Sequence, residues 1–220
     1  MIDYLVDIDK DMLLLVNGMN DLFQDAFWWM VSAKWSSLLF LLALLWALLR
    51  QDRRHSLLVL VMAVLAILIA DQIASGIIKQ MVERLRPTHD PSMESAVHVI
   101  NGYRGGMYGF VSSHASNFFA FSTLVTLVMR HRLVAVSLYT WSLVQCYSRM
   151  YLGVHYPSDI LGGIIVGLLS GWLVWLFMRW IQRRWHISAG HYTTADAVVM
   201  LSALGVTIVG LLIASLTQTL

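Results

Sequence analysis

Residues 148–159 read Ser148-Arg149-Met150-Tyr151-Leu152-Gly153-Val154-His155-Tyr156-Pro157-Ser158-Asp159, and from Ile160 to Met178 the chain then carries no charge. An arginine, a histidine and an aspartate therefore stand at the edge of an apolar run about as long as the ~20 residues a membrane helix needs. Ionisable groups that close to hydrocarbon are costly and point to function. Two further blocks sit the same way, Lys79-x6-Arg86-Pro87 after one apolar run and Ser112-Ser113-His114 before another. Three cations, two imidazoles and a carboxylate at the lip of a membrane bundle have the chemistry of a phosphate-handling site.

Working outward, the hydropathy pattern gives six spans, at roughly 31–49, 56–78, 114–129, 133–148, 160–180 and 196–216. The third, Ala115–Met129, is short for a span on its own. Of the 220 residues 58% are hydrophobic and only 13% charged, and mean hydropathy is +0.68. Such a composition excludes an ordinary soluble domain. The predicted fold is all-α, a polytopic membrane bundle of six transmembrane helices. Residues 3–16 place Tyr4, Leu5, Ile8, Met12 and Leu15 near helical spacing, which predicts an N-terminal interfacial helix. The chain reads as one domain, 1–220, with an interfacial segment over 1–26 and the three polar blocks within 79–159. Phe27, Trp28 and Trp29 are expected at headgroup level.

Lys79 and Arg86 lie seven residues apart, nearly two helical turns, so one helix can present both on the same side. Pro87 disfavours helical geometry at Arg86 and should end that helix there. Glu83 and Arg84 read as an exposed pair on its other face. A serine of the second block caps the third span. The free N–H groups of that helix start are a seat for a phosphate oxygen, with His114 in reach of a leaving oxygen. Pro157 suits the first turn of the fifth helix. A carboxylate four residues after His155 fixes the ring tautomer and leaves the other nitrogen free to attack phosphorus. Arg149 offers a planar fork to phosphoryl oxygens.

The three blocks resemble the signature of the type 2 phosphatidic acid phosphatase family, related to glucose-6-phosphatase and the vanadium haloperoxidases. Its pattern is Lys-x6-Arg-Pro, Pro-Ser-Gly-His and Ser-Arg-x5-His-x3-Asp. The first and third blocks match in full; the second has Val111 in place of Pro and Ser113 in place of Gly. The resemblance implies that His155 is a nucleophile forming a phosphohistidine, that Asp159 orients it, and that His114 protonates the leaving group and then activates water. It implies that Lys79, Arg86, Arg149, Ser112 and Ser113 bind the phosphoryl oxygens. No metal and no cofactor is expected, three cations providing the neutralisation. The substrates it implies are membrane lipid phosphates, with undecaprenyl diphosphate or lipid A phosphate favoured over phosphatidylglycerophosphate and phosphatidic acid. Two other readings stay open: a lipid phosphotransferase using a polyprenyl diphosphate donor, and a non-catalytic lipid-binding or transport protein.

Charge placement sets the expected orientation. Arg50, Arg53, Arg54, Arg130, Arg132, Arg179, Arg183 and Arg184 fall on one side of the six-span layout, which the positive-inside rule makes cytoplasmic. The active site then faces the periplasm or outside of a bacterial inner membrane. A net charge of +2 and the lack of a basic-aromatic stripe argue against nucleic acid. Met1-Ile2-Asp3 lacks the basic n-region of a cleaved signal peptide, and Cys146 is the only cysteine. Gly163-x3-Gly167-x3-Gly171 allows close helix packing, either inside the bundle or in a homodimer. His89, Asp90, Glu94 and His98 have the residue types of a metal site without ligand spacing; the loop they share, with Tyr103, Arg104, Gly105 and Gly106, reads better as a lid over the headgroup. Asp71, inside the second span, is expected to bond to another helix.

Overall fold

The computed structural model describes residues 2–219, so the signal-peptide reading, which involves Met1, lies partly outside the described residues. Among the described residues the chain forms eight α-helices: α1 (Ile2–Asn17), α2 (Leu22–Val31), α3 (Leu38–Leu49), α4 (Arg53–Val82), α5 (Ser113–Met129), α6 (Arg132–Tyr151), α7 (Pro157–Arg184) and α8 (Thr194–Thr219). One antiparallel bridge, Leu85 to Tyr108, is isolated, and no strand occurs among the described residues.

Local chemistry sets most of the boundaries. Asp21 caps α2 by accepting from the Gln24 N–H at 2.8 Å, and Asp52 caps α4 through the N–H groups of Arg54 and His55. Both are the preferred N-cap type. Pro157 occupies the first turn of α7, as expected. Helices α4, α7 and α8 are each long and apolar enough to cross a membrane. Helix α2 and the segment Lys34–Leu49 make one more crossing only as a pair bent by 62°. The expected first span, 31–49, is thus corrected: Ser32-Ala33 interrupts it, and the helix before the break reaches back to Leu22. By length and apolarity the expected six crossings meet three such helices and one bent pair. Helices α5 and α6 are instead tied to each other by interior polar bonds, Ser122 to Ser142 at 2.8 Å and Thr123 to Tyr139 at 3.0 Å.

Helix α5 is the axis of the bundle, with Ala120, Leu124 and Val125 fully buried. The glycine stripe of α7 is what lets it sit there. A Cβ at Gly163, Gly167 or Gly171 would collide with the carbonyl oxygens of Ser112, Ser116 and Ala120 respectively. The stripe is therefore covered by the chain's own α5 and is not free for a homodimer. Cys146 is buried beside Ala115, Phe119 and Ile160. Asp71 accepts from Asn117 of α5 at 3.3 Å, the interhelical bond expected of it.

Two helices depart from expectation in ways that matter for the site. Helix α1 leaves Tyr4, Met12 and Leu15 exposed but buries Asp9, Leu13 and Asn17, which recur every four residues on its opposite face. The aromatic group of α2 packs into protein: Trp28 lies 4.5 Å from Tyr147, and Trp29 lies 5.7 Å from Tyr103, edge to face. Protein packing therefore takes these two rings, where headgroup contact was expected.

Candidate active site

Four segments converge at one end of the bundle: the C-terminal end of α4, the loop 83–112, the first turn of α5, and the α6–α7 connection. Helix α4 passes through a π-helical stretch, Gln72–Ile78, just before Lys79, a wide turn frequent at functional sites. It then stops at Val82, because Glu83 turns left-handed at φ 49° and its N–H bonds to the Lys79 carbonyl. Lys79 and Arg86 are therefore not two residues of one helix, which corrects the sequence reading. Arg86 arrives on extended chain: its N–H donates to Met107 O, while Gly109 N–H donates to Arg84 O. That pairing, with Leu85 opposite Tyr108, holds the segment out of helix.

The expected residues come together all the same. Lys79, Arg86, Arg149, His155 and Asp159 are each at most 8% exposed. Lys79 Nζ donates to Ser113 Oγ at 3.1 Å, and Ser112 caps α5 through the Ala115 N–H. Arg86 is fixed by the carbonyls of Tyr108 and Val154, with Gly105 pressed against its guanidinium at φ 69°, a backbone shape only glycine holds easily. Arg149 Nη2 donates to the Tyr103 hydroxyl at 2.9 Å. Its Nε is buried and has no partner. Buried polar groups are normally satisfied, so this N–H is a donor held ready for an acceptor. His114 stands in the first turn of α5, its ring 6.4 Å from Phe118.

His155 Nδ1 lies 3.3 Å from Asp159 Oδ2, the same oxygen that accepts from the Tyr156 N–H at 3.0 Å. The carboxylate selects the tautomer with the proton on Nδ1 and the lone pair on Nε2. Burial, and then the charges of Arg86, Arg149, Lys79 and His114, push the His155 pKa well below the ordinary histidine value. The ring is therefore neutral at physiological pH, as a nitrogen nucleophile must be.

Sequence reasoning missed Arg84. Far from an exposed pair with Glu83, it donates to Asp159 Oδ1 at 3.1 Å and to Asp9 Oδ2 at 2.6 Å, and it stacks 4.1 Å over the Tyr156 ring. Asp9 also accepts from the Ser158 N–H and hydroxyl, so α1 grips the start of α7. The sequence carries no direct signal for this: Pro87 restricts only Arg86, and Arg84 is turned by the pairing of Leu85 with Tyr108. The four loop residues of the metal reading each find a different partner. His98 pairs with Asp25 at 2.8 Å, Glu94 with Arg104, Asp90 with Tyr156 and Ser92, and the His89 ring lies 3.5 Å from Gly105 O. Among the described residues no group of three or more histidines, cysteines or carboxylates is placed to hold a metal ion.

A neutral histidine backed by a carboxylate and ringed by three buried cations is chemistry suited to binding and transferring a phosphoryl group. The family comparison agrees: residues 60–183 match the model of the PAP2 superfamily, and the chain belongs to that superfamily. The chain is 31% identical to the lipid A 4'-phosphatase of Porphyromonas gingivalis over 83% of its own length and 78% of that protein's. It is 33% identical to the lipid A 4'-phosphatase of Bacteroides thetaiotaomicron over 84% of its length and 83% of that protein's. Among solved structures, the fold resembles a transmembrane PAP2 type phosphatidylglycerolphosphate phosphatase from Bacillus subtilis, with a TM-score of 0.60 and 21% identity, covering 82% of this chain and 89% of that one.

Proposed function

We propose that this protein is a lipid phosphatase that removes the phosphate of a lipid A-type glycolipid at the outer face of a bacterial inner membrane, through a phosphohistidine on His155. The observation that carries the reaction is the unpartnered Nε of Arg149 beside the His155–Asp159 pair. An anion with several acceptor oxygens satisfies that donor and balances three buried cations at once. The lipid A class, preferred here over undecaprenyl diphosphate, is supported by the two relatives that align over more than four-fifths of the chain.

In the first step Nε2 of His155 attacks phosphorus, the bond from phosphorus to the sugar oxygen breaks, and His114 gives that oxygen a proton. Lys79, Arg86, Arg149 and the backbone at Ser112 and Ser113 hold the charge spread over the phosphoryl oxygens. Asp159 stabilises the positive imidazole as it forms. In the second step water loses a proton to His114 and attacks phosphorus, the P–N bond breaks, and inorganic phosphate leaves. The three arginine clusters favour a six-crossing layout with this end outside the cytoplasm, and the exposed Tyr4, Met12 and Leu15 suit α1 to the membrane surface. The test is phosphate release from purified lipids in EDTA with wild type and His155→Ala. Turnover of lipid A, an acid-labile and base-stable phosphoprotein during turnover, and a dead variant are expected. Undiminished activity of His155→Ala would refute the mechanism.

A further inference from the structure

A cavity of about 380 Å³ has Asp25, Trp29, His98, Asn101 and Gln218 among its walls, and its Trp29 packs edge to face on Tyr103, whose hydroxyl binds Arg149. We propose that it is a sugar subsite, receiving the amino-sugar headgroup of the glycolipid whose phosphate lies at His155. This rests on the lipid A reading above and adds the residues that recognise the substrate.

Position is the first argument. The Arg149 guanidinium lies 5.4 Å from the Tyr103 ring, and that ring lies 5.7 Å from Trp29. Two such steps put Trp29 no more than about 11 Å from the phosphate-binding arginine. A sugar carrying the phosphate can extend over that distance while still attached to its acyl chains. The volume falls within the ~300–1,000 Å³ usual for small-molecule sites.

Chemistry is the second. Asp25 accepts from the Tyr151 hydroxyl at 2.7 Å and pairs with His98 Nε2 at 2.8 Å. A carboxylate has about four acceptor positions, so two remain for sugar hydroxyls or an amide N–H. Asn101 offers both donors and an acceptor from an exposed turn at φ 50°. Trp29 contributes a flat apolar ring with one N–H, the combination suited to a ligand with both apolar and polar faces. A glycerol phosphate or a prenyl diphosphate has no ring of hydroxyls to place there.

Preorganisation is the third. Asn17 of α1 accepts from the His98 N–H at 2.7 Å and donates to the carbonyls of His98 and Tyr151. Helices α1, α2 and α6 thus hold the Asp25–His98 pair in place, which lowers the ordering cost of binding.

The experiment measures kcat/KM in detergent micelles for lipid A and for phosphatidic acid, which presents a phosphate monoester without a sugar. Wild type is compared with Asp25→Asn and Asn101→Gly; glycine keeps the left-handed turn at 101, so that variant should fold. Losing a hydrogen bond to a charged group costs roughly tenfold or more, and a neutral one a few-fold. The ratio of lipid A to phosphatidic acid turnover should fall about tenfold or more in Asp25→Asn and a few-fold in Asn101→Gly. A wild type without preference for lipid A would overturn the lipid A reading and the subsite with it. A wild-type preference that both variants retain would overturn the subsite alone. Equal losses on both lipids would give Asp25 a purely structural role and also overturn it.

Discussion

Under the proposed mechanism, Arg84→Gln should slow the chemical step without weakening substrate binding, because Arg84 acts on His155 through Asp159. Its guanidinium bridges Asp159 Oδ1 and Asp9 Oδ2 and also donates to the Ser158 hydroxyl at 2.5 Å. Asp159 is fully buried, and the Arg84 side chain is 24% exposed, so solvent screening is modest. A hydrogen bond to a charged partner contributes about 1.5–3 kcal/mol, and 1.36 kcal/mol is a factor of ten in rate. If the carboxylate is then free to turn away from His155 Nδ1, kcat should fall about 10- to 100-fold with KM little changed. Asp9→Asn should cost less, since Arg84 keeps its bond to Asp159.

The double variant decides whether the chain of contacts runs in that order. Asp9 hydrogen-bonds to Arg84 and Ser158, and among the described residues it has no hydrogen bond to Asp159 or His155. In an Arg84→Gln background, Asp9→Asn should therefore cost clearly less in kcat than it does alone, a coupling of the size expected for residues in one network. Steady-state kinetics on all four proteins, with thermal unfolding in detergent to confirm that each is folded, is the assay. Additive losses in kcat, or a loss carried by KM, would refute an action of α1 on His155 through Arg84.

If His155 attacks as proposed, its depressed pKa predicts that the acid limb of kcat/KM lies below the ordinary histidine value near 6.5: the ring must then be unprotonated, and burial with three neighbouring cations keeps it so as pH falls. A limb centred at or above 6.5 in a pH–rate profile would refute this. His114→Ala should lose about 10²–10⁴ on a lipid A substrate, whose sugar alkoxide leaves poorly, and far less on para-nitrophenyl phosphate; Arg149→Ala should harm both alike. Equal selectivity in the two variants would remove His114 from the role of acid. With Cys146 replaced, a cysteine at Ser92 should react with impermeant thiol reagents in intact cells, while one at Arg53 should stay protected. The reverse would put the site in the cytoplasm.

The legibility of this chain from sequence divides by the kind of interaction. The residues of the three blocks were readable because chemistry fixes both type and spacing: four residues from His155 to Asp159 place the carboxylate on Nδ1, and a serine before an apolar run caps a helix. Helices were readable because apolar runs must form them in lipid. Where the reading failed, the cause was backbone geometry set by distant partners. Nothing in Lys79–Arg86 announces that a π-helical stretch precedes Lys79 or that Leu85 will pair with Tyr108. Those two features take Arg84 off a helix face and turn it toward Asp159. Likewise Asp9, Leu13 and Asn17 carry a four-residue period, but the outward apolar stripe of the same helix has the stronger pattern. The buried face became visible only when α7 and the loop ending at His98 supplied its partners. Motif residues are thus specified by what they bind, and the residues that hold them by what packs behind them. The second group is where variants should alter rate without abolishing it, as the Arg84 and Asp9 pair is placed to test.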